Sequence, residues 1–123
     1  MDSAGRAHVL ITFGRSFLSL ELARLMAAGG HRVTTVDSVA VAISRFSNGV
    51  SDFHRVPPPK FEPLAYCRAL ARIVEENDVD MVIPVHEETD IIAMLADLAD
   101  STGRRNTMIM EVFAVATADW SWK

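Results

Sequence analysis

The chain has 123 residues, 50% hydrophobic and 23% charged, with a formal net charge of −4. That length predicts one domain with its own core, and the acidic balance excludes the basic face that nucleic-acid binding needs. No apolar run approaches the roughly 20 residues that span a bilayer, "MDSAGRAH" carries no apolar signal core, and a lone Cys67 cannot form an intrachain disulfide, so the expected setting is a reducing cytoplasm.

Residues 1–7 read as a flexible leader, and residues 8–13 as a strand rich in β-branched residues. After Gly14-Arg15, Ser16 is a good helix N-cap. Leu18, Leu22, Leu25 and Met26 then fall at helical spacing, and Gly29-Gly30 stops the helix. Residues 32–36 form a second β-branched run that ends at Asp37-Ser38. Residues 39–49 are less regular, with one helical turn expected around 40–43. Residues 52–56 read as a short strand ended by Pro57-Pro58-Pro59, because proline cannot continue a ladder.

Pro63 opens a helix at a position that tolerates it. The expected apolar face is Leu64, Cys67, Leu70, Ala71 and Val74, and Asn77-Asp78 closes the element. The run "DMVIPV" over residues 80–85 is the next strand. "HEETD" follows, and the helix beginning near Thr89 has Ile92, Leu95 and Leu98 to bury. Acids in its first turn suit the helix dipole. "STGRRN" reads as a turn, and "TMIMEVFAVAT" as a strand or a helix.

Strands alternating with helices predict an α/β fold: a three-layer open parallel sheet of four to five strands, Rossmann-like. The expected division is a leader over 1–7, the domain over 8–100, and a turn, fifth strand and tail over 101–123. Such sheets bind ligands beyond the carboxyl ends of their strands. Gly14-Arg15-Ser16, Asp37-Ser38 and His86-Glu87-Glu88 all belong to that edge.

A dinucleotide fingerprint needs three glycines in the first turn, so that backbone amides approach a pyrophosphate. Here the run is "GRSFLSL", with Ser16 and Ser19 at the second and third positions, where side chains are expected to obstruct that approach. Two readings stay open: an anion site at the helix N-terminus, aided by Arg15, or a plain turn with a solvated arginine. Asp37 stands where an NAD protein keeps its ribose-binding acid, and equally where a turn acid or helix cap would stand. His86, Glu87, Glu88 and Asp90 are either substrate contacts or a solvated acidic first turn; two adjacent carboxylates do not make a catalytic pair. The four histidines have no metal-ligand spacing and are expected at the surface or in turns. Cys67 falls on a buried helix stripe, as an inert packed thiol. No catalytic residue and no metal site is predicted.

Three stretches together carry a family resemblance: "VLITFGRSFLSLELARLMAAGGHRVTTVDS", "SRFSNGVSDFHRVPPPKFEP" and "ENDVDMVIPVHEETDIIAML". Over residues 8–95 the chain resembles the N-terminal, pre-ATP-grasp domain of ATP-grasp enzymes, especially carbamoyl-phosphate-synthase-like carboxylate–amine ligases. The resemblance implies a domain on the acceptor-substrate side of a cleft. The full-length enzyme activates a carboxylate with ATP and magnesium as an acyl phosphate, which an amine then attacks.

Gly14, Arg15, Ser16, Glu87 and Glu88 match positions implied to contact a small carboxylate or amine substrate. Ser38 and Arg45 match as well, with packing the implied role. Beyond Asp100 the only acids are Glu111 and Asp119 and the only lysine is Lys123, too few to grip a triphosphate and its magnesium. The chain by itself is therefore expected to bind neither ATP nor magnesium and to be inactive. Two alternatives stay open. One is a degenerate NAD(P)-binding oxidoreductase domain. The other is a non-catalytic interaction module in which the "TMIMEVFAVAT" segment completes a shared sheet or a homodimer.

Overall fold

The structure is a computed structural model and describes residues 6–39, 49–87, 89–101 and 108–109. Residues 1–5 of the expected leader, the turn expected at 40–43, Arg45, Glu88 and the tail beyond 109 lie outside the described residues. In chain order the elements are β1 (His8–Ile11), α1 (Phe17–Ala28), β2 (Arg32–Asp37), β3 (Asp52–Arg55), α2 (Pro63–Asn77), β4 (Met81–Ile83), α3 (Thr89–Ser101) and β5 (Met108–Ile109). The strands form one sheet in the order β3-β2-β1-β4-β5, and every pairing is parallel. Met108–Ile109 thus settles part of the ambiguous C-terminal segment as strand.

Alternation along the central strands sorts the core into two layers. Val9 and Ile11 of β1, Val33 of β2 and Ile83 of β4 pack with Ala23 of α1 on one face of the sheet. Leu10, Val36 and Val82 pack on the other face with Cys67, Leu70 and Val74 of α2 and Ile91 and Leu95 of α3. Helices therefore cover both sides, as parallel sheets require.

Two strands are shorter than their apolar runs, for identifiable reasons. β1 stops at Ile11 because Phe13 turns into the left-handed region at φ 53°. β4 stops at Ile83 because Pro84 has no amide to donate, Val85 donates instead to the Thr12 hydroxyl at 2.7 Å, and His86 is left-handed at φ 56°.

The helix faces need correction. In α1 the buried residues are Ser19, Leu20 and Ala23; Leu22 and Met26 are only partly covered, and Leu25 is 67% exposed. Small side chains let α1 approach the sheet closely, so the expected leucine stripe is rotated toward solvent. In α2, Tyr66 and Ile73 join Cys67, Leu70 and Val74 inside, while Leu64 is exposed. In α3, Ile91 is buried in place of Ile92.

His8 is not a surface histidine: it is buried in β1. Its Nδ1 lies 2.9 Å from the Asn77 carbonyl, which can only accept, so Nδ1 donates, and Nε2 lies 2.7 Å from the Thr34 hydroxyl. This ring ties the start of β1 to β2 and to the end of α2.

Candidate functional site

The carboxyl ends of β1, β2 and β4 converge with the loop before α2 on one cavity of about 430 Å³. Phe13, Arg15, Asp37, Ser38, Lys60, Tyr66, His86 and Glu87 are among its lining residues.

The β1–α1 turn is built from internal hydrogen bonds. The Gly14 amide donates to the Val36 carbonyl at 2.9 Å, joining the turn to β2. Ser16 caps α1: its Oγ accepts the Ser19 amide at 3.0 Å. Ser19 is fully buried, and its Oγ donates toward the Thr12 and Phe13 carbonyls at 2.7 and 2.8 Å. Ser19 therefore does not obstruct a ligand, contrary to expectation. It sits between α1 and β1 and satisfies carbonyls there, where the third fingerprint glycine would otherwise allow close helix–strand packing. Ser16 keeps its side chain on the turn itself.

Arg15 and Asp37 are bound to each other, although 22 positions separate them in sequence. The Arg15 guanidinium donates from Nε to both Asp37 oxygens at 3.1 and 3.0 Å, and from Nη2 to Oδ1 at 2.5 Å. Nη2 also reaches the Ser38 hydroxyl at 3.0 Å. The Asp37 carboxylate further accepts the backbone amides of Arg15 at 2.9 Å, Ser38 at 2.6 Å and Val39 at 3.3 Å. Burial alone would raise the Asp37 pKa; the Arg15 side chain and these amides outweigh it and hold the carboxyl below its ordinary range. The guanidinium carbon also lies 4.9 Å from the centre of the Phe13 ring. Phe13 in turn meets His86 edge-on at 5.6 Å, linking the β1 and β4 turns.

Glu87 and Tyr66 also line the cavity. Glu87 is buried, and one of its oxygens accepts the Tyr66 hydroxyl. Burial, and then the adjacent Glu87 charge, pushes the Tyr66 phenol well above its usual range, so it stays a donor. The Tyr66→Phe variant is expected to lose about 1–3 kcal/mol of stability, because a buried carboxylate loses its donor; urea denaturation measures this. Beneath this pair, burial with a smaller push from Glu87 raises the Cys67 thiol to about 11. The folded chain is expected to resist iodoacetamide at pH 8 and to react once unfolded, a contrast that mass spectrometry reads directly.

Of the sequence-predicted contacts, Arg15 and Glu87 line the cavity; Gly14 and Ser16 serve the turn, and Glu88 lies outside the described residues. Sequence reasoning missed Tyr66, Lys60, Phe61 and Phe13. Tyr66 had a signal, since it precedes Leu70 by four and Ile73 by seven positions on α2. The other three belong to turns, which carry no periodicity. Among the described residues no group of three His, Cys, Asp or Glu side chains could hold a metal, and no helix is long and apolar enough to cross a membrane.

An all-parallel sheet in this order, with helices on both faces and a cavity at its carboxyl edge, defines a Rossmann-like α/β domain. The chain is similar to the structure of glycinamide-RNase-transformylase T from Mycobacterium tuberculosis, with TM-score 0.57 and 18% identity over 82% of this chain and 28% of that one. It is also similar to the Bordetella bronchiseptica enzyme WbmG in complex with NAD, with TM-score 0.56 and 16% identity over 81% of this chain and 36% of that one. A third similar structure is the NADH-dependent reductase A1-R′ complexed with NAD, with TM-score 0.56 and 15% identity over 84% of this chain and 57% of that one. The chain thus spans between 28% and 57% of the length of these structures. At such identities the likeness shows the fold. No family model and no curated protein sequence matches the chain.

Proposed function

We propose that the chain is the substrate-side domain of an ATP-grasp ligase that joins a carboxylate to an amine through an acyl phosphate, and that it is not catalytic alone. The observation that carries this reading is the commitment of Asp37. A dinucleotide site needs the acid at the end of β2 for ribose hydroxyls. Here that carboxylate is engaged by its own Arg15 and by three backbone amides. The cavity is lined besides by Arg15, Lys60 and Glu87. These groups suit a small polar substrate.

The described residues do not fit ATP with magnesium. Asp37 is bound to Arg15, Glu87 accepts from Tyr66, and among the described residues no group of three His, Cys, Asp or Glu side chains could hold a metal. The role assigned to this chain is therefore to bind and orient the acceptor, with Glu87 receiving hydrogen bonds from its amine. The likeness to the transformylase is compatible with this reading. The position of Asp37 and the likeness to NAD-bound structures favour the alternative, an NAD(P)-binding oxidoreductase domain.

The test is release of ADP and phosphate. A longer gene product that carries this domain is expected to release both only when a carboxylate and an amine are supplied together, while the 123-residue chain alone releases neither. Turnover of ATP by the chain alone contradicts the proposal.

A further inference from the structure

We infer that the outer face of α1 is an interface between two copies of this chain, which pair through that helix in antiparallel orientation about a two-fold axis. None of the residues of that face lines the cavity, so the pairing does not depend on the ligase reading.

Leu18, Leu22 and Leu25, spaced four and three apart, form one stripe along α1. The sheet does not use it, because α1 packs inward through Ser19, Leu20 and Ala23. Leu18 is 36% exposed, Leu25 67% and the neighbouring Phe17 74%, while Leu22 is half-buried. Single exposed apolar side chains are ordinary, but here three of them share one short helix. Together they offer roughly 300 Å² of apolar surface, the size of patch that marks an interaction site.

The charges beside the stripe point to a second copy as the occupant. Phe17, Glu21, Arg24 and Ala28, spaced four, three and four apart, form a row along one flank of the leucines. Glu21 and Arg24 are the only charged residues of α1, so the face carries no net charge. Read in reverse, acid-then-base becomes base-then-acid, so the row is its own complement. In an antiparallel pair each flank meets the same flank of the other copy. The two-fold then sets Glu21 of one copy against Arg24 of the other and Phe17 against Ala28, each contact made twice. Within one copy Arg24 and Glu21 are 3.4 Å apart and 61% and 66% exposed, a surface pair that holds little energy and is free to exchange partners.

Two such patches with their polar rims bury less than about 1,200 Å² in total, the class of weak, reversible contacts, so a Kd of about 100 µM is expected. Sedimentation of the 123-residue chain is the test. It is expected to be monomeric near about 10 µM and mostly dimeric near about 1 mM. Leu25→Lys is expected to remain monomeric throughout. Glu21→Arg and Arg24→Glu, which each oppose like charges, are expected to weaken the dimer about tenfold, and an equimolar mixture of the two to regain wild-type association. All three positions are exposed, where folding tolerates substitution, and circular dichroism checks it. A wild-type chain that stays monomeric at the highest concentration overturns the inference. So does a dimer that Leu25→Lys leaves intact, a mixture that associates no better than its components, or growth beyond the dimer, since a two-fold contact closes on itself.

Discussion

Leu10→Ala is expected to lower the stability of the chain by about 3 kcal/mol, within the 2–5 kcal/mol range for emptying a buried leucine site. Leu10 is fully buried at the centre of β1, with β2 on one side and β4 on the other. Its side chain packs in the same layer as Val82, Leu70 and Val36. Backbone ladders hold both flanks of the strand, so the cavity left by truncation cannot collapse. Against a total stability of about 5–15 kcal/mol for a domain, this loss is large. Leu25→Ala is the matched control. Leu25 is 67% exposed on α1, so its truncation is expected to change stability by no more than about 0.5 kcal/mol. Thermal or urea unfolding of the two variants compares them. Similar losses at both positions would mean that α1 packs through the leucine stripe after all.

The second large effect concerns Asp37. Its carboxylate is almost fully buried, whereas the Arg15 side chain keeps 43% of its exposure. Asp37→Asn preserves the shape but cannot accept from two guanidinium nitrogens and three amides together. A loss of about 2 kcal/mol is expected, at the lower end for hydrogen bonds to charged groups because solvent screens the arginine.

The pH dependence carries a definite sign. The folded pKa of Asp37 lies below the ordinary carboxylate value. Its contribution is therefore complete above about pH 4 and is lost as pH falls through the lower folded value. The wild-type chain is expected to lose stability on acidification in that window, and Asp37→Asn to lose less. Unfolding free energies measured between neutral pH and strong acid provide the comparison.

The same pair marks how far the sequence could be read. The parallel α/β architecture was legible because β-branched runs, glycine stops and proline starts alternate at lengths that suit βαβ units. Ser16 as N-cap, the start at Pro63 and the closure at Asn77-Asp78 all follow from local chemistry and all occur.

Which helix face turns inward was less legible. Periodicity weighs large apolar residues, whereas α1 approaches the sheet through Ser19 and Ala23. At the site, Arg15 and Asp37 were each noticed, one as an anion-binding group and the other as a ribose acid. Their union depends on β1 and β2 lying side by side in parallel, a tertiary fact. Lys60 and Phe61 reach the cavity from a turn with no repeating pattern, so only the folded chain places them there.

Whether Asp37 serves Arg15 or a ribose decides between the two readings of the site. Titration of the chain with NAD(H) and NADP(H), followed by intrinsic fluorescence or calorimetry, tests it. No saturable binding at micromolar concentration is predicted, for the wild type and for Asp37→Ala alike. Saturable micromolar binding of either dinucleotide that weakens in Asp37→Ala would contradict it, since the carboxylate would then be serving a ribose rather than Arg15.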